Sequence, residues 1–110
     1  MSPNAFLGEF EQMVLLAILK QGDRAFALEV RREIEDSADR SVSRGAFYTT
    51  LDRLERKGMV EWSEAEPSGR RSGPLRRFSV TPVGLAALRA SRRALESLWS
   101  GVDLFAEERP

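Results

Sequence analysis

Arginine is the residue whose number and placement point most clearly to a chemistry in this sequence. Residues 40–93 carry twelve basic side chains against five acidic ones, and Lys57 is the only lysine among the twelve. The whole chain has no net charge because residues 1–39 and 94–110 are both acidic. The planar guanidinium group matches phosphate oxygens and guanine edges better than an ammonium group does. The basic middle segment therefore favours a face for nucleic acid, although surface ion pairs are the ordinary use of such side chains.

The sequence is poorly supplied for catalysis and for metal binding. It contains no cysteine and no histidine, which excludes disulfides, thiolate metal sites, cysteine nucleophiles and imidazole general bases. No motif unites a nucleophile, a base and a group that orients the base. We therefore expect no enzyme, no catalytic residue, no cofactor and no metal site. The longest apolar run, residues 13–19, is too short for a membrane span, so we expect a cytoplasmic protein without a membrane anchor.

Three helices are predicted in the first half of the chain. Residues 9–20, 25–36 and 44–57 each place apolar side chains at helical spacing. Ser43 is predicted to cap the third helix, and Gly58 is predicted to end it. These elements would form one compact core, as expected for a chain of 110 residues.

The third helix is predicted to have a buried face and an exposed face. Phe47, Leu51 and Leu54 face the core at about 100° per residue, and Tyr48 lies at the boundary. The residues predicted to point away from the core are Gly45, Ala46, Thr49, Asp52, Arg53 and Arg56. The exposed face therefore carries small side chains near its start and cationic side chains further on.

A hairpin is predicted after the third helix. Apolar and polar residues alternate around Trp62 and around Phe78, and a period of two predicts β-strands. Glycine and proline in residues 65–77 predict a long loop between the strands. Residues 67–77 contain four arginines and no acidic side chain, which fits either a solvated loop or a contact with phosphates. For Arg76 and Arg77 the alternative to a phosphate contact is a pair of alternating, solvent-facing strand positions. We expect Trp62 to lie in the core.

A last helix of about 27 Å is predicted to begin at Pro82, with Thr81 as its cap. Its apolar residues recur at heptad spacing, which suggests a seam between two helices. The residues predicted to form a homodimer interface are Phe6, Phe10, Leu85, Leu88, Leu95, Leu98, Trp99 and Val102. Trp99 could anchor this packing or line a pocket for a flat apolar effector.

The predicted order of elements is that of a winged helix-turn-helix, a mainly α fold with a small β-hairpin, followed by a C-terminal dimerisation helix. Residues 1–81 would form the DNA-binding domain, and residues 82–110 the dimerisation helix and a frayed tail. The third helix would fill the major groove. The predicted hairpin is the wing of this fold, and its arginines would reach phosphates or the minor groove. The predicted DNA-binding residues are Ser43, Arg44, Gly45, Tyr48, Thr49, Arg53, Arg70, Arg71, Arg76 and Arg77.

Three segments of the sequence carry a family resemblance: LGEFEQMVLLAILKQGD at residues 7–23, VSRGAFYTTLDRLERKGMV at 42–60 and GRRSGPLRRFSVTPVG at 69–84. Through them, and over nearly its whole length, the sequence resembles the PadR family of bacterial transcriptional regulators. The resemblance implies a winged-helix domain, homodimerisation through the C-terminal helix, and binding to an inverted-repeat DNA operator, usually as a repressor. It also implies a DNA contact for Tyr48, which matches the tyrosine of the family's recognition helix.

The sequence departs from the family pattern at two positions away from the expected DNA face. Ala27 stands where the second helix commonly has glycine, and Phe47 stands where an aliphatic residue is more usual. The C-terminal portion resembles that of short family members, so a response to phenolic acids is not expected. The alternative function is a winged helix that binds a protein and not DNA, because a fold does not determine a function.

Overall fold

A computed structural model of the chain describes residues 7–67 and 73–105, which form four α-helices and one antiparallel pair of strands. The winged-helix fold class predicted from the sequence is confirmed. In chain order the elements are α1 (Glu9–Gln21), α2 (Ala27–Ala38), α3 (Arg44–Arg56), β1 (Val60–Ala65), β2 (Leu75–Val80) and α4 (Pro82–Trp99). A 3₁₀ turn, Gly22–Arg24, separates α1 from α2. No helix in residues 7–67 and 73–105 is long and apolar enough to cross a membrane.

The second helix begins two residues later than predicted, at Ala27. The preceding residue, Phe26, is extended and forms an isolated antiparallel bridge with Arg77. In the same stretch the backbone N–H of Phe78 donates to the carbonyl of Ala25 at 2.9 Å. Residues 25 and 26 therefore extend the hairpin sheet by a short third segment, and this fixes the start of α2 against the wing.

The hairpin is longer, and its loop shorter, than predicted. The strand register joins Val60 to Val80 and Ala65 to Leu75. The loop predicted over residues 65–77 is shorter in the structure, because Ala65 and residues 75–77 belong to the strands. Strand positions were the alternative prediction for Arg76 and Arg77. Arg76 and Arg77 are consecutive in β2, so their side chains point to opposite faces of the sheet.

The expectation that Trp62 lies in the core was wrong. Its side chain is 38% exposed, and the guanidinium carbon of Arg76 lies 4.3 Å from the centre of its ring. Its indole N–H donates to the carboxylate of Glu55 at 3.0 Å. Phe78, the cross-strand partner of Trp62, is the aromatic residue that is buried. In this arrangement the indole N–H has a carboxylate acceptor, and the face of the ring carries a guanidinium group.

The core is built around α1 and the inner face of α3. Phe47, Leu51 and Leu54 are buried as predicted, and they pack with Val14 and Leu15 of α1 in one hydrophobic cluster. Each such side chain contributes roughly 1.5–3 kcal/mol when it is removed from water. This packing holds the opposite face of α3 towards solvent.

The first turn of α4 is fixed to the segment that follows α3. Thr81 caps the helix as predicted, since its hydroxyl accepts from the N–H of Gly84 at 3.2 Å. The same hydroxyl donates to the carbonyl of Gly58 at 2.6 Å, and the N–H of Thr81 donates to the carbonyl of Met59 at 3.0 Å. A Cβ on Gly84 would lie 2.5 Å from the carbonyl oxygen of Met59, so only glycine allows this close approach.

Candidate nucleic-acid interface

Ser43 fixes the start of α3. Its hydroxyl oxygen accepts a hydrogen bond from the backbone N–H of Ala46 at 3.1 Å, as predicted for the helix cap. The hydroxyl proton is still available for donation to an external oxygen. The N-terminal end of the helix, with its partial positive charge, is held at the surface in this way.

The exposed face of α3 is the one that the helical spacing predicted. The side chains or Cα atoms exposed on it are those of Gly45, Ala46, Thr49, Asp52, Arg53 and Arg56. Tyr48 lies at the boundary with 40% of its surface exposed, and its ring meets that of Phe47 edge-on at 5.4 Å. The buried phenylalanine thus orients the tyrosine, whose hydroxyl group can contact a ligand on the surface.

Gly45 has no internal reason to be glycine. Its backbone does not have positive φ, and a Cβ added to it would meet no atom within 4 Å. A glycine within a helix costs roughly 0.5–1 kcal/mol relative to alanine. The open space beside the first turn of α3 would allow a partner to approach its backbone closely.

Arginines from three elements line one cleft of about 490 Å³ between α2, α3 and β2. Arg44 and Tyr48 come from α3, Arg76 from β2, and Arg31 from α2. The other lining residues are Phe26, Ala27, Leu28, Glu29, Leu75 and Phe78. With three cations and one carboxylate, the cleft has the charge and the donors to accept a polyanion such as a phosphate backbone.

Arg31 is the member of this cleft that the sequence analysis missed. One of its terminal nitrogens donates to the carbonyl of Val42 at 3.4 Å, which ties α2 to the segment before α3. Its Nε is buried and has no hydrogen-bond partner within the part of the chain that the structure describes. Arg31 follows Ala27, another residue of the cleft, by one helical turn, and this spacing was the one signal in the sequence. The sequence did not show that α2 lies against the wing.

Two of the predicted arginines lie away from the cleft. Arg53 follows Arg44 by nine residues, about 180° around α3, and its charge acts on Glu11 of α1. Arg77 neighbours Arg76 on the strand and therefore points to the other face of the sheet. That face has a groove lined by Arg77 together with Asp23, Arg24, Phe26, Glu29, Glu66 and Pro67. Arg70 and Arg71 lie outside the residues that the structure describes.

An ion pair ties the C-terminal end of α3 to α1. The ammonium of Lys57 lies 2.8 Å from a carboxylate oxygen of Glu11, and the other carboxylate oxygen accepts from the N–H of Gly8. Burial of Glu11 opposes its ionisation, but these hydrogen bonds and the charges of Lys57 and Arg53 outweigh burial and hold its pKa below the ordinary value. The pair fixes the position of α3 relative to α1.

Five of the predicted dimer residues lie on α4, and Val102 follows the end of that helix. Leu95, Leu98, Trp99 and Val102 are exposed, with Leu98 at 73%. Leu85 and Leu88 are half-buried. Phe10 is also half-buried, packs against the core and lies under the guanidinium of Arg40 at 5.6 Å. Phe6 lies outside the described residues.

The exposed side of α1 continues the apolar surface of α4. Leu16 and Leu19 are exposed and line, with α4, a groove of about 480 Å³ that reaches from Leu85 to Trp99. The sequence pattern of residues 13–19 fits either core or dimer packing, so neither leucine was singled out as an interface residue. In residues 7–67 and 73–105 there is no group of acidic residues arranged to hold a metal ion.

Comparison with known proteins gives one family and several related folds. The transcriptional regulator PadR-like family matches residues 15–90. The transcriptional regulator Rv3488 of Mycobacterium tuberculosis is 44% identical over 57 residues, which are 52% of this chain. The chain spans 50% of the length of that relative.

Two solved structures illustrate the similarity of the fold. A PadR-like transcription factor from Bacteroides fragilis superposes with a TM-score of 0.66 at 20% identity, over 83% of this chain and 84% of the other. RosR of H. salinarum, in the complex structure named hsRosR-SG, gives a TM-score of 0.71 at 25% identity, over 98% of this chain and 88% of the other.

Proposed function

Because the chain belongs to the PadR-like family of transcriptional regulators, whose members are transcription factors and not enzymes, we propose that it represses transcription as a homodimer bound to an inverted-repeat DNA operator. The observation that carries the proposal is the cleft in which guanidinium groups from α2, α3 and β2 meet beside the exposed face of α3. Residues 1–81 would bind DNA and residues 82–110 would join the protomers.

Within this proposal the side chains divide into those that contact phosphates and those that read bases. Arg44, Tyr48 and Arg76 would contact the phosphate backbone, since they border the cleft and not the centre of the α3 face. Thr49 points outwards from the middle of that face and would contact base edges in the major groove. Gly45 would let the helix backbone approach the bases.

The exposed apolar surface of α1 and α4 supports the dimer. Large side chains that are half or more exposed, such as Leu98 and Trp99, are costly on a monomer when they form one continuous patch. A second copy of the chain would cover them and would set the separation of the two α3 helices. Half-sites about 34 Å apart, one turn of duplex, would then be bound together.

Release by a small molecule would involve the same surface. Trp99 lines the apolar groove between α1 and α4, where an indole can stack on a flat apolar effector. Such an effector would act by favouring a dimer angle that does not match the operator.

The test is fluorescence anisotropy with DNA from upstream of the protein's own gene. We expect specific binding, with log affinity falling against log salt at a slope of about −5 if the dimer neutralises about six phosphates. Arg44→Ala and Arg76→Ala should each weaken binding to all sequences and flatten the slope by about 1 per phosphate lost. Arg93→Ala, an exposed arginine of α4, is the matched control and should change neither quantity.

Absence of DNA binding at low salt would contradict the proposal. The chain would then be better explained as a winged helix that binds a protein, and the arginine cleft would be expected to fit an acidic partner surface. A salt-independent affinity would likewise contradict the phosphate contacts assigned to the cleft.

A further inference from the structure

We propose that Asp52 determines operator specificity by accepting a hydrogen bond from a cytosine amino group in the major groove. The inference rests on the proposed DNA-binding function and adds to it a base-reading residue that lies beyond the first turns of α3. The starting observation is that Asp52 places a negative charge on the exposed face of α3, which is otherwise suited to a polyanion.

Asp52 occupies the middle of the exposed face of α3. Thr49 precedes it by one turn and Arg56 follows it by one turn on the same side of the helix. The Thr49 and Asp52 Cα atoms are separated by about 4.5 Å along the helix axis, close to the base-pair rise of about 3.4 Å. A helix that presents Thr49 to one base pair therefore presents Asp52 to the next one or two.

Among the residues that the structure describes, none occupies the carboxylate of Asp52. It makes no hydrogen bond and no ion pair with any residue in 7–67 or 73–105, and it is exposed. The neighbouring acid Glu55 is occupied by the indole N–H of Trp62. Arg56, at the i+4 position where it could neutralise Asp52, is not within ion-pair distance. Nothing inside the described part of the protein therefore uses this carboxylate.

The chemistry of the groove selects the partner of such a group. An ionised carboxylate only accepts hydrogen bonds. In the major groove, cytosine N4 offers a donor, whereas guanine offers only the acceptors O6 and N7 and thymine the acceptor O4. Adenine N6 is a donor that lies beside the acceptor N7, so a carboxylate suits it less well than an amide does. Phosphates repel the carboxylate everywhere, so Asp52 weakens binding to every sequence that lacks the matching cytosine.

The experiment is selection of bound half-sites from a randomised operator library, with the wild-type protein, Asp52→Asn and Asp52→Ala. Wild type should prefer cytosine at one base pair per half-site by about tenfold, the scale of a single well-formed base contact. Asp52→Ala should lose that preference and bind non-specific DNA more tightly. Asp52→Asn, which has the same shape and can both donate and accept, should shift the preference to adenine.

Asp36→Asn is the matched control, because Asp36 is an exposed acid of α2 that lies outside the cleft. It should leave the selected sequence unchanged. If Asp52→Ala selects the same sequence as wild type and only binds all DNA more tightly, Asp52 repels phosphate and reads no base, and the inference is wrong. If wild type binds no DNA at all, the proposed function fails together with the inference, and the two failures are told apart by the wild-type measurement alone.

Discussion

Replacing Gly45 by alanine should stabilise the protein and weaken its binding to DNA. The added Cβ would meet no atom of the protein within 4 Å, and the helical backbone accepts it without strain. Alanine should therefore raise the free energy of unfolding by about 0.5–1 kcal/mol. For a domain of this size that corresponds to a rise in Tm of about 2–8 °C.

The substitution would be unfavourable only in the complex with DNA, where it would lower the affinity. A methyl group forced into a close-packed contact costs typically 1–3 kcal/mol, so we expect operator affinity to fall at least about fivefold. Thermal unfolding followed by circular dichroism measures the first effect, and anisotropy with labelled operator DNA measures the second. The Tm should rise while the operator affinity falls, and a variant that is only destabilised cannot produce this combination.

Gly84→Ala is the matched control for this experiment. Its Cβ would lie 2.5 Å from the Met59 carbonyl oxygen and 2.7 Å from Cγ1 of Val80, so the variant should be destabilised. If Gly45→Ala instead binds the operator as tightly as wild type, the first turn of α3 does not approach DNA closely. The assignment of the α3 face as the DNA-reading surface would then be refuted.

Three further substitutions test the contacts that hold and join the elements. Lys57→Met should lower the free energy of unfolding at neutral pH by about 2 kcal/mol, since it leaves the buried carboxylate of Glu11 without its charged partner. Because the folded pKa of Glu11 is lowered, the stability from its ionisation is present above about pH 4.3 and is lost as the pH falls through the lowered pKa. In urea unfolding, the free energy of unfolding of the variant should therefore decrease less in acid than that of the wild type. Leu98→Glu should leave the monomer folded and weaken its self-association, which sedimentation equilibrium measures, and an unchanged mass would exclude α4 from the dimer interface. Thr81→Ala should cost about 1–2 kcal/mol in a urea titration, because the hydroxyl that caps α4 and donates to Gly58 is removed; an unaltered midpoint would show that this junction does not matter.

The features that the sequence predicted well are those decided within a few residues. Ser43 and Thr81 cap their helices as predicted, because a cap depends on one side chain and an N–H three residues later. The buried face of α3 follows from helical spacing alone. A circumferential argument of the same kind could also have separated Arg53 from Arg44, since nine residues correspond to two and a half turns.

The features that it missed depend on contacts between distant segments. Trp62 alternates with polar residues as a core residue would, yet its exposure depends on Arg76 across the hairpin and on Glu55 in α3. Residues 25 and 26 read as helix, but they pair with β2 more than fifty residues later. Arg31 likewise enters the cleft only because α2 lies against the wing. Periodicity carries no information about which faces meet.

The contacts between helices bear on how the proposed regulation could act. The start of α4 is joined to the turn after α3 through Thr81 and the close approach of Gly84, and the end of α3 is joined to α1 through Lys57 and Glu11. These contacts tie α1, α3 and α4 to one another. In the proposed dimer, a change in the angle between the protomers would reach the α3 helices through these contacts. An effector at the apolar groove would alter the spacing of half-sites that the dimer accepts, while the bases read within each half-site, which depend on residues such as Thr49, would stay the same.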